Sequence, residues 1–150
     1  MITLDASALV AFFRYEPAAG EVRKMLLSGE QCLITAINFA EVLDRLSRAA
    51  GIDVSQVQAD VDELAVFISS VDSELAAAAA DLRRRHYHRR IRPVSLADCC
   101  AAAHALDCEA QLATSDAGLL QLVHDEGGRA LALPNSSGKR YVIVESRQGG

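Results

Sequence analysis

Four carboxylates stand at or near the starts of segments that read as helices. Asp5 follows "MITL", Asp116 follows "QLATS", Glu41 lies within the first turns of the helix after "QCLIT", and Asp98 lies one turn into "SLADCCAAAHALD". In a parallel α/β sheet every junction from a strand to a helix lies on the same edge, so these acids should converge on one crevice. The sequence therefore predicts an acidic cluster at the carboxyl ends of the strands.

A cluster of this kind repels itself, so it must take up protons, disperse into water or bind a cation. Asp5 and Asp98 are flanked by apolar residues, which disfavours dispersal into water. Oxygen ligands without thiolate or imidazole suit Mg²⁺ or Mn²⁺. Such ions, held by carboxylates, hydrolyse phosphodiesters by activating a water, orienting the scissile phosphate and neutralising charge on the leaving oxygen. The sequence contains no Walker A motif, and no Ser-His-Asp order stands out.

Each acid also has a purely structural interpretation, which the sequence leaves open. Asp5 and Asp116 could be N-caps, since a carboxylate oxygen accepts hydrogen bonds from free backbone N–H groups at a helix start. Ser95 and Asp98 have the spacing of a capping box. Glu41 could form an exposed ion pair with the arginine four residues later.

Short apolar runs alternate with helical stretches along nearly the whole chain. The segments predicted as strands are "MITLD", "QCLIT", "SSV", "EAQLAT" and "RALAL". Helices are predicted between them, including one over "PAAGEVRKMLLSG" and one over "DVSQVQADVDELAVFI". The alternation indicates a single α/β domain over residues 1–133, with a central parallel sheet of about five strands covered by helices on both faces. Residues 134–150 form an extension, either an edge strand over "RYVIVE" or a flexible tail.

Composition narrows the class of protein. A chain of 150 residues is long enough for one domain, and its 51% hydrophobic content with 5% aromatics predicts a core of small side chains. A net charge of −5 argues against indiscriminate binding to nucleic acid. No apolar run approaches the roughly 18 residues of a membrane span, so we expect a soluble cytoplasmic protein without membrane contact. The four cysteines show no zinc-ligand spacing.

Taken in order, the four acidic segments resemble the motifs of a known family. "MITLDASALVAFF", "TAINFAEVLDRL", "PVSLADCCAAAHA" and "LATSD" are similar to the four acidic motifs of PIN-domain ribonucleases, in particular of VapC toxins from type II toxin–antitoxin pairs. The resemblance implies a Mg²⁺- or Mn²⁺-dependent endoribonuclease that hydrolyses RNA, forms a homodimer and is neutralised by a small cognate antitoxin protein.

The resemblance also implies roles for individual residues. By this similarity the catalytic and metal-binding residues are Asp5, Glu41, Asp98 and Asp116. The first and third would be the principal metal ligands, and the other two would complete the site directly or through water. Thr114 corresponds to the hydroxyl residue of the family's T-x-D element. Ser7 and Asn38 lie where such proteins often carry a polar residue beside the ligands.

A basic run, "RRRHYHRRIR" at residues 83–92, precedes the helix of small residues. It holds six of the thirteen arginines, namely Arg83, Arg84, Arg85, Arg89, Arg90 and Arg92. Two interpretations remain open: solvated arginines that end a helix and match its dipole, or a phosphate track for RNA in which Tyr87 or a histidine stacks on a base. His86 and His88 belong to this run, with solubility or RNA contact as their expected role. His104 is expected to be a packed core residue.

Other functions compete with that of a nuclease. A receiver-like signalling module is also α/β with an acidic Mg²⁺ pocket, but neither Lys24 nor Lys139 lies where its lysine would be needed. A phosphohydrolase with two nucleophile-region acids would need a second acid two residues after Asp5, where Ser7 stands. The last alternative is a non-catalytic domain whose acids only cap helices and whose role is to bind a protein.

Overall fold

The computed structural model describes residues 1–145, with the side chain of Ala50 excepted, as five strands and seven helices. The strands are β1 (Ile2–Leu4), β2 (Cys32–Thr35), β3 (Phe67–Ser69), β4 (Gln111–Thr114) and β5 (Arg129–Ala132). The helices are α1 (Ala6–Phe13), α2 (Ala19–Leu26), α3 (Ala36–Ala50), α4 (Val54–Glu63), α5 (Ser73–His86), α6 (Leu96–Asp107) and α7 (Ala117–Asp125).

The five strands form one sheet in the order β3-β2-β1-β4-β5, and every neighbouring pair is parallel. The chain builds β1, β2 and β3 outward in one direction and then returns to add β4 and β5 on the other side of β1. The strand order therefore reverses between β1 and β4, and the crevice outside their carboxyl ends is the position where ligands bind in open α/β sheets. The predicted five-stranded parallel sheet is confirmed.

Alternate residues of the central strands enter two separate hydrophobic layers, one on each face of the sheet. Leu4 and Ile34 pack with α1 to α4, whereas Leu112 packs with α5 to α7. Helix α6 approaches the sheet closely because its buried positions are almost all small: Cys99, Cys100, Ala101, Ala102, Ala103 and Ala105. Helices cover both faces, as the alternation predicts, and in the second layer the small residues of α6 pack with leucine and valine side chains of α5, β4 and α7.

The prediction for the segment between α4 and β3 is wrong in its boundaries. Helix α4 ends at Glu63 rather than continuing through Ile68, and β3 occupies Phe67–Ser69 instead of residues 69–71. The helix ends because Ala65 adopts a left-handed conformation, with φ of 54°. Val66 is then buried, and the apolar residues that suggested more helix belong to an edge strand.

The segment after β5 packs against the domain without adding a strand to the sheet. Pro134 and Arg140 form an isolated antiparallel bridge. Gln121 of α7 holds the following residues, because its Oε1 accepts from the Tyr141 hydroxyl and from the Val144 backbone N–H, both at 3.0 Å. The edge strand expected over residues 140–145 is thus not formed, and the rest of the extension lies outside the described residues. No helix in residues 1–145 is long and apolar enough to cross a membrane.

Candidate active site

Asp5 stands at the end of β1, beside the point where the strand order reverses, and is only 4% exposed. It occupies the N-cap position of α1, but its side chain makes no capping hydrogen bond. Its Oδ2 accepts from the hydroxyls of Ser7 and Thr114, at 2.9 and 2.8 Å, and its Oδ1 accepts from the Asn38 side-chain amide at 3.3 Å. The N-cap interpretation is therefore wrong for Asp5, whose carboxylate is held by three uncharged side chains.

The Asn38 amide is oriented by Thr35, which caps helix α3. The Thr35 hydroxyl donates to the Asn38 side-chain oxygen and accepts from the Asn38 backbone N–H at 3.3 Å. This leaves the amide nitrogen to face Asp5, and both Thr35 and Asn38 are fully buried. The sequence analysis missed Thr35, although the T-x-x-N spacing at the start of a helix is a signal for such a cap.

The two hydroxyl donors are fixed by backbone groups of the segment after β4. Thr114 Oγ1 accepts from the Asp116 N–H at 3.0 Å, and Ser7 Oγ accepts from the Ser115 N–H at 3.2 Å. Because each hydroxyl oxygen already accepts a hydrogen bond from the backbone, its own proton is free to point at Asp5. The loop that follows β4 thus orients the carboxylate that follows β1.

Asp98 and Asp116 are helix caps, as the structural interpretation predicts. Asp98 forms a full capping box with Ser95: its Oδ2 accepts from the Ser95 N–H at 2.6 Å, and its own N–H donates to Ser95 Oγ at 3.0 Å. Asp116 Oδ1 accepts from the Leu119 N–H at 2.7 Å at the start of α7. Each of these capping bonds from a backbone N–H uses one oxygen of the carboxylate, Oδ2 in Asp98 and Oδ1 in Asp116.

Burial and mutual repulsion raise the pKa values of two acids in the cluster. The pKa of Asp98 is raised to about 6, first by burial and then by the charges of Asp5 and Asp116, against the lowering effect of its bonds to Ser95. The pKa of Glu41 is raised by burial and by Asp5, while Arg45, 3.7 Å away, opposes this rise. Asp5 contributes to both rises and Asp116 to that of Asp98, so these carboxylates interact electrostatically across the carboxyl edge of the sheet.

The donor set fits a hard divalent cation, although the side chains are not gathered around one position. Among residues 1–145, no three His, Cys, Asp or Glu side chains lie close enough to share an ion as they stand. The four acids offer only oxygen donors, and the repulsion that raises the pKa values of Asp98 and Glu41 is the kind that a cation relieves. The exposed Asp116 and half-exposed Glu41 have room to turn towards such an ion.

Most of the basic run is engaged with the protein itself. Arg84 and Arg85 pair with Asp81, and Arg85 also reaches Glu126 beyond the end of α7. Arg83 donates to the Val94 carbonyl at 3.1 Å, and its guanidinium lies 4.4 Å from the centre of the Tyr87 ring. Arg92 donates to Asp125 at 2.8 Å. Arg89 and Arg90 are exposed. The six arginines therefore do not form one continuous cationic surface.

The three histidines of interest have structural partners. Arg92 donates to His86 Nδ1 at 2.8 Å, so the neutral ring carries its proton on Nε2 and donates it to Glu126. His88 Nδ1 accepts from two backbone N–H groups of its own loop, at 3.1 and 3.2 Å. His104 is 5% exposed and its Nδ1 lies 3.1 Å from the Thr3 hydroxyl, which confirms the prediction of a core residue.

Comparisons with known proteins agree with the fold. The family model described as the PIN domain matches residues 2–124. No curated protein matches the sequence. VapC20 of Mycobacterium tuberculosis, a toxin described as cleaving the Sarcin-Ricin loop, superposes with a TM-score of 0.62 at 20% identity over 75% of this chain and 87% of its own.

Two further solved structures share the fold. FitAcB from Neisseria gonorrhoeae gives a TM-score of 0.59 at 23% identity, over 87% of this chain and 96% of its own. A toxin–antitoxin complex from Klebsiella pneumoniae gives 0.60 at 17% identity, over 77% of this chain and 87% of its own. At these identities the structures show a shared fold, and the sequence match over residues 2–124 shows the family: the chain belongs to the PIN-domain family.

Proposed function

We propose that the protein is a Mg²⁺- or Mn²⁺-dependent endoribonuclease that hydrolyses RNA phosphodiester bonds. One observation carries the proposal: Asp5 is buried at the reversal of the strand order and is held there by three uncharged donors. A helix cap needs none of these features. Burial and uncharged donors suit a carboxylate that is kept in one orientation in order to bind a metal ion.

In the proposed site Asp5 and Asp98 are the principal metal ligands, and Glu41 and Asp116 complete the set. A bound divalent ion lowers the pKa of a water, orients the scissile phosphate and neutralises charge on the leaving oxygen. Ser7, Thr114 and Asn38 position Asp5 and prevent its rotation. Their support is uncharged, so the negative charge of Asp5 remains available to the ion.

We further propose that the protein is the toxin of a type II toxin–antitoxin pair, acting in the cytoplasm as a homodimer until a small antitoxin neutralises it. The support is the resemblance of the four acidic segments to VapC motifs, together with structural neighbours that include VapC20 and toxin–antitoxin complexes. Expression of the chain alone should arrest bacterial growth. Co-expression with a small protein encoded beside it should restore growth.

A second candidate is a non-catalytic or signalling α/β module, and the caps formed by Asp98 and Asp116 favour it. On this alternative every acid would serve a helix. Asp5 argues against it, since Asp5 occupies an N-cap position without capping.

The proposal is tested by cleavage of a labelled single-stranded RNA in Mg²⁺ and in Mn²⁺. The parent should cut the RNA, EDTA should stop the reaction, and Asp5→Asn and Asp98→Asn should each be inactive. The matched control is Asp81→Asn, which removes a carboxylate that pairs with Arg84 and Arg85 away from the acidic cluster; this variant should cleave like the parent. The nuclease proposal fails if Asp5→Asn and Asp98→Asn cleave as fast as the parent.

A further inference from the structure

Residues 88–92 form a short hairpin with a fixed backbone, called here the basic hairpin. His88 and Arg92 exchange two backbone hydrogen bonds of 2.9 Å, which close an isolated antiparallel bridge. Inside the turn, His88 Nδ1 accepts from the N–H groups of Arg90 and Ile91. The turn is therefore held by its own imidazole as well as by the bridge, and its outward side chains project from a defined position.

The base of the basic hairpin is anchored to helix α7. The Arg92 guanidinium donates to Asp125 and to His86, and His86 in turn donates to Glu126. Both Arg92 and Asp125 are about four-fifths buried as side chains, at 19% and 20% exposure. The charge of Arg92 is thus used within the protein, and its role is to hold the hairpin in place.

The anchored base lies beside the acidic cluster. Arg92 packs against the first turn of α7 at Gly118, where a Cβ would lie only 3.3 Å from Arg92 Cγ, from Val94 Cγ1 and from the Asp116 carboxylate oxygen Oδ1. The chain then runs from Val94 directly into the capping box of Ser95 and Asp98. The basic hairpin therefore rises at the rim of the proposed active site.

Its tip presents two cations and one large apolar side chain to solvent. Arg89 and Arg90 are exposed, and Ile91 is 79% exposed. Among residues 1–145, neither arginine has a carboxylate within ion-pairing distance, in contrast to Arg84, Arg85 and Arg92. A chain of net charge −5 with an acidic site repels a polyanion unless positive charge stands near that site.

We propose that the basic hairpin binds the phosphate backbone of the RNA substrate through Arg89 and Arg90, with Ile91 against a base or sugar. The inference rests on the proposed nuclease function and divides the basic run into two parts. Arg83, Arg84, Arg85 and Arg92 maintain the structure, whereas the tip contacts the substrate. The rigid backbone lowers the entropy lost on binding, because only the side chains need ordering.

The test measures the equilibrium binding of a mixed-sequence single-stranded RNA by fluorescence anisotropy. The titrations are made in EDTA at a range of salt concentrations. Arg89→Gln/Arg90→Gln should weaken binding by about tenfold and reduce the slope of log K against log salt by about 1.4, since each lost phosphate contact to a single strand accounts for about 0.7. Arg84→Gln is the matched control: it removes an exposed arginine of the same run that pairs with Asp81, and it should leave both quantities unchanged.

Unchanged affinity and salt slope in the double variant would overturn the inference. It would also be overturned if Ile91→Ser altered self-association in light scattering while RNA affinity stayed constant, because the hairpin would then be a protein contact. Binding in EDTA is independent of cleavage, so the two proposals fail separately. A protein that binds through the hairpin without cutting RNA refutes the nuclease proposal alone, and one that cuts RNA with a dispensable hairpin refutes this inference alone.

Discussion

Two acidic regions of the molecule have opposite electrostatic surroundings. Beside α5 and α7, Arg85 and Arg84 lower the pKa of Asp81, and Arg85 and His86 lower that of Glu126. At the carboxyl edge of the sheet, burial and neighbouring carboxylates raise the pKa values of Glu41 and Asp98. The first region is neutralised by the chain's own arginines, and the second is left with an excess of negative charge.

The opposite directions of the pKa shifts distinguish acids that stabilise the fold from acids that destabilise it. The chain is not short of arginine, since six lie in one run, yet among residues 1–145 only Arg45 pairs with an acid of the cluster, with its Nη1 3.7 Å from Glu41 Oε1. The donors around Asp5 are hydroxyls and an amide, which orient a carboxylate without cancelling its charge. Such an arrangement costs stability in the empty protein and is favourable once a cation binds.

The largest effect is expected from Asp5. Asp5→Asn keeps the volume of the side chain but removes the charge, and we expect RNA cleavage under single-turnover conditions to fall by more than about 100-fold. Thermal unfolding of the same variant should show a folded protein. A rate within a few-fold of the parent would place the chemistry elsewhere.

A smaller loss is expected from the hydroxyl that orients Asp5. Thr114→Val preserves shape but removes the donor to Asp5 Oδ2 and the acceptor for the Asp116 N–H, so Mn²⁺ affinity should fall by about 10- to 100-fold. Thr3→Val is the matched control, because Thr3 is an equally buried threonine of β1 whose hydroxyl contacts His104 instead. Equal Mn²⁺ affinities for the two variants would contradict the positioning role of Thr114.

Because the carboxylates at the carboxyl edge of the sheet are buried and repel one another, removal of one negative charge there should stabilise the protein. The folded-state pKa of Asp98 is about 6 against an ordinary value of 3.8, so the folded state holds the proton more tightly and loses stability as pH rises through about 6. Asp98→Asn abolishes this loss and retains an oxygen for the Ser95 N–H. In EDTA at neutral pH we expect a gain of about 1–2 kcal/mol, discounted for partial exposure, and a Tm higher by about 3–6 °C.

The difference in stability between Asp98→Asn and the parent should disappear at acidic pH. Below the ordinary pKa of an aspartate both proteins are uncharged at position 98, so their Tm values should agree within error. An Asp98→Asn variant that is less stable than the parent at neutral pH without metal would show that the edge carries no electrostatic burden.

Removal of a carboxylate from the region that the arginines neutralise should lower the stability, and this is the smallest effect that we expect. Glu126→Gln removes the partner of Arg85 and His86, so it should lower the stability by about 1 kcal/mol and the Tm by about 2–4 °C at neutral pH. Because the pKa of Glu126 is lowered in the folded state, its contribution should be lost as pH falls through that lowered value. Thermal unfolding of parent and variant at acidic and neutral pH measures both statements.

The alternation of apolar runs and helices places Asp5, Glu41 and Asp116 directly after parallel strands or in the first turns of the helices that follow them, whereas Asp98 lies in the first turn of a helix that follows another helix. The sequence does not predict the strand order, so it cannot place the reversal between β1 and β4. It also leaves Asp5 as an apparent cap, since the three groups that hold its side chain come from residues 7, 38 and 114. Residues so far apart in the sequence come into contact only in the folded protein.

The basic run illustrates the same limit of local sequence patterns. Its arginines look equivalent in sequence, but Asp125 and Glu126, which engage Arg92 and Arg85, lie 33 and 41 residues further on. The edge strand β3 differs from its predicted position for a related reason: "AVFI" is apolar whether it continues a helix or forms a strand, and the left-handed Ala65 decides between them.

The central claim is that the carboxyl edge holds a divalent cation, and calorimetric titration of Mn²⁺ into the metal-free protein at neutral pH tests it most directly. The parent should bind Mn²⁺, Asp5→Asn and Asp98→Asn should lose that binding, and Glu126→Gln should retain it. Absence of binding to the parent, or binding that survives both substitutions at the edge, would contradict the account.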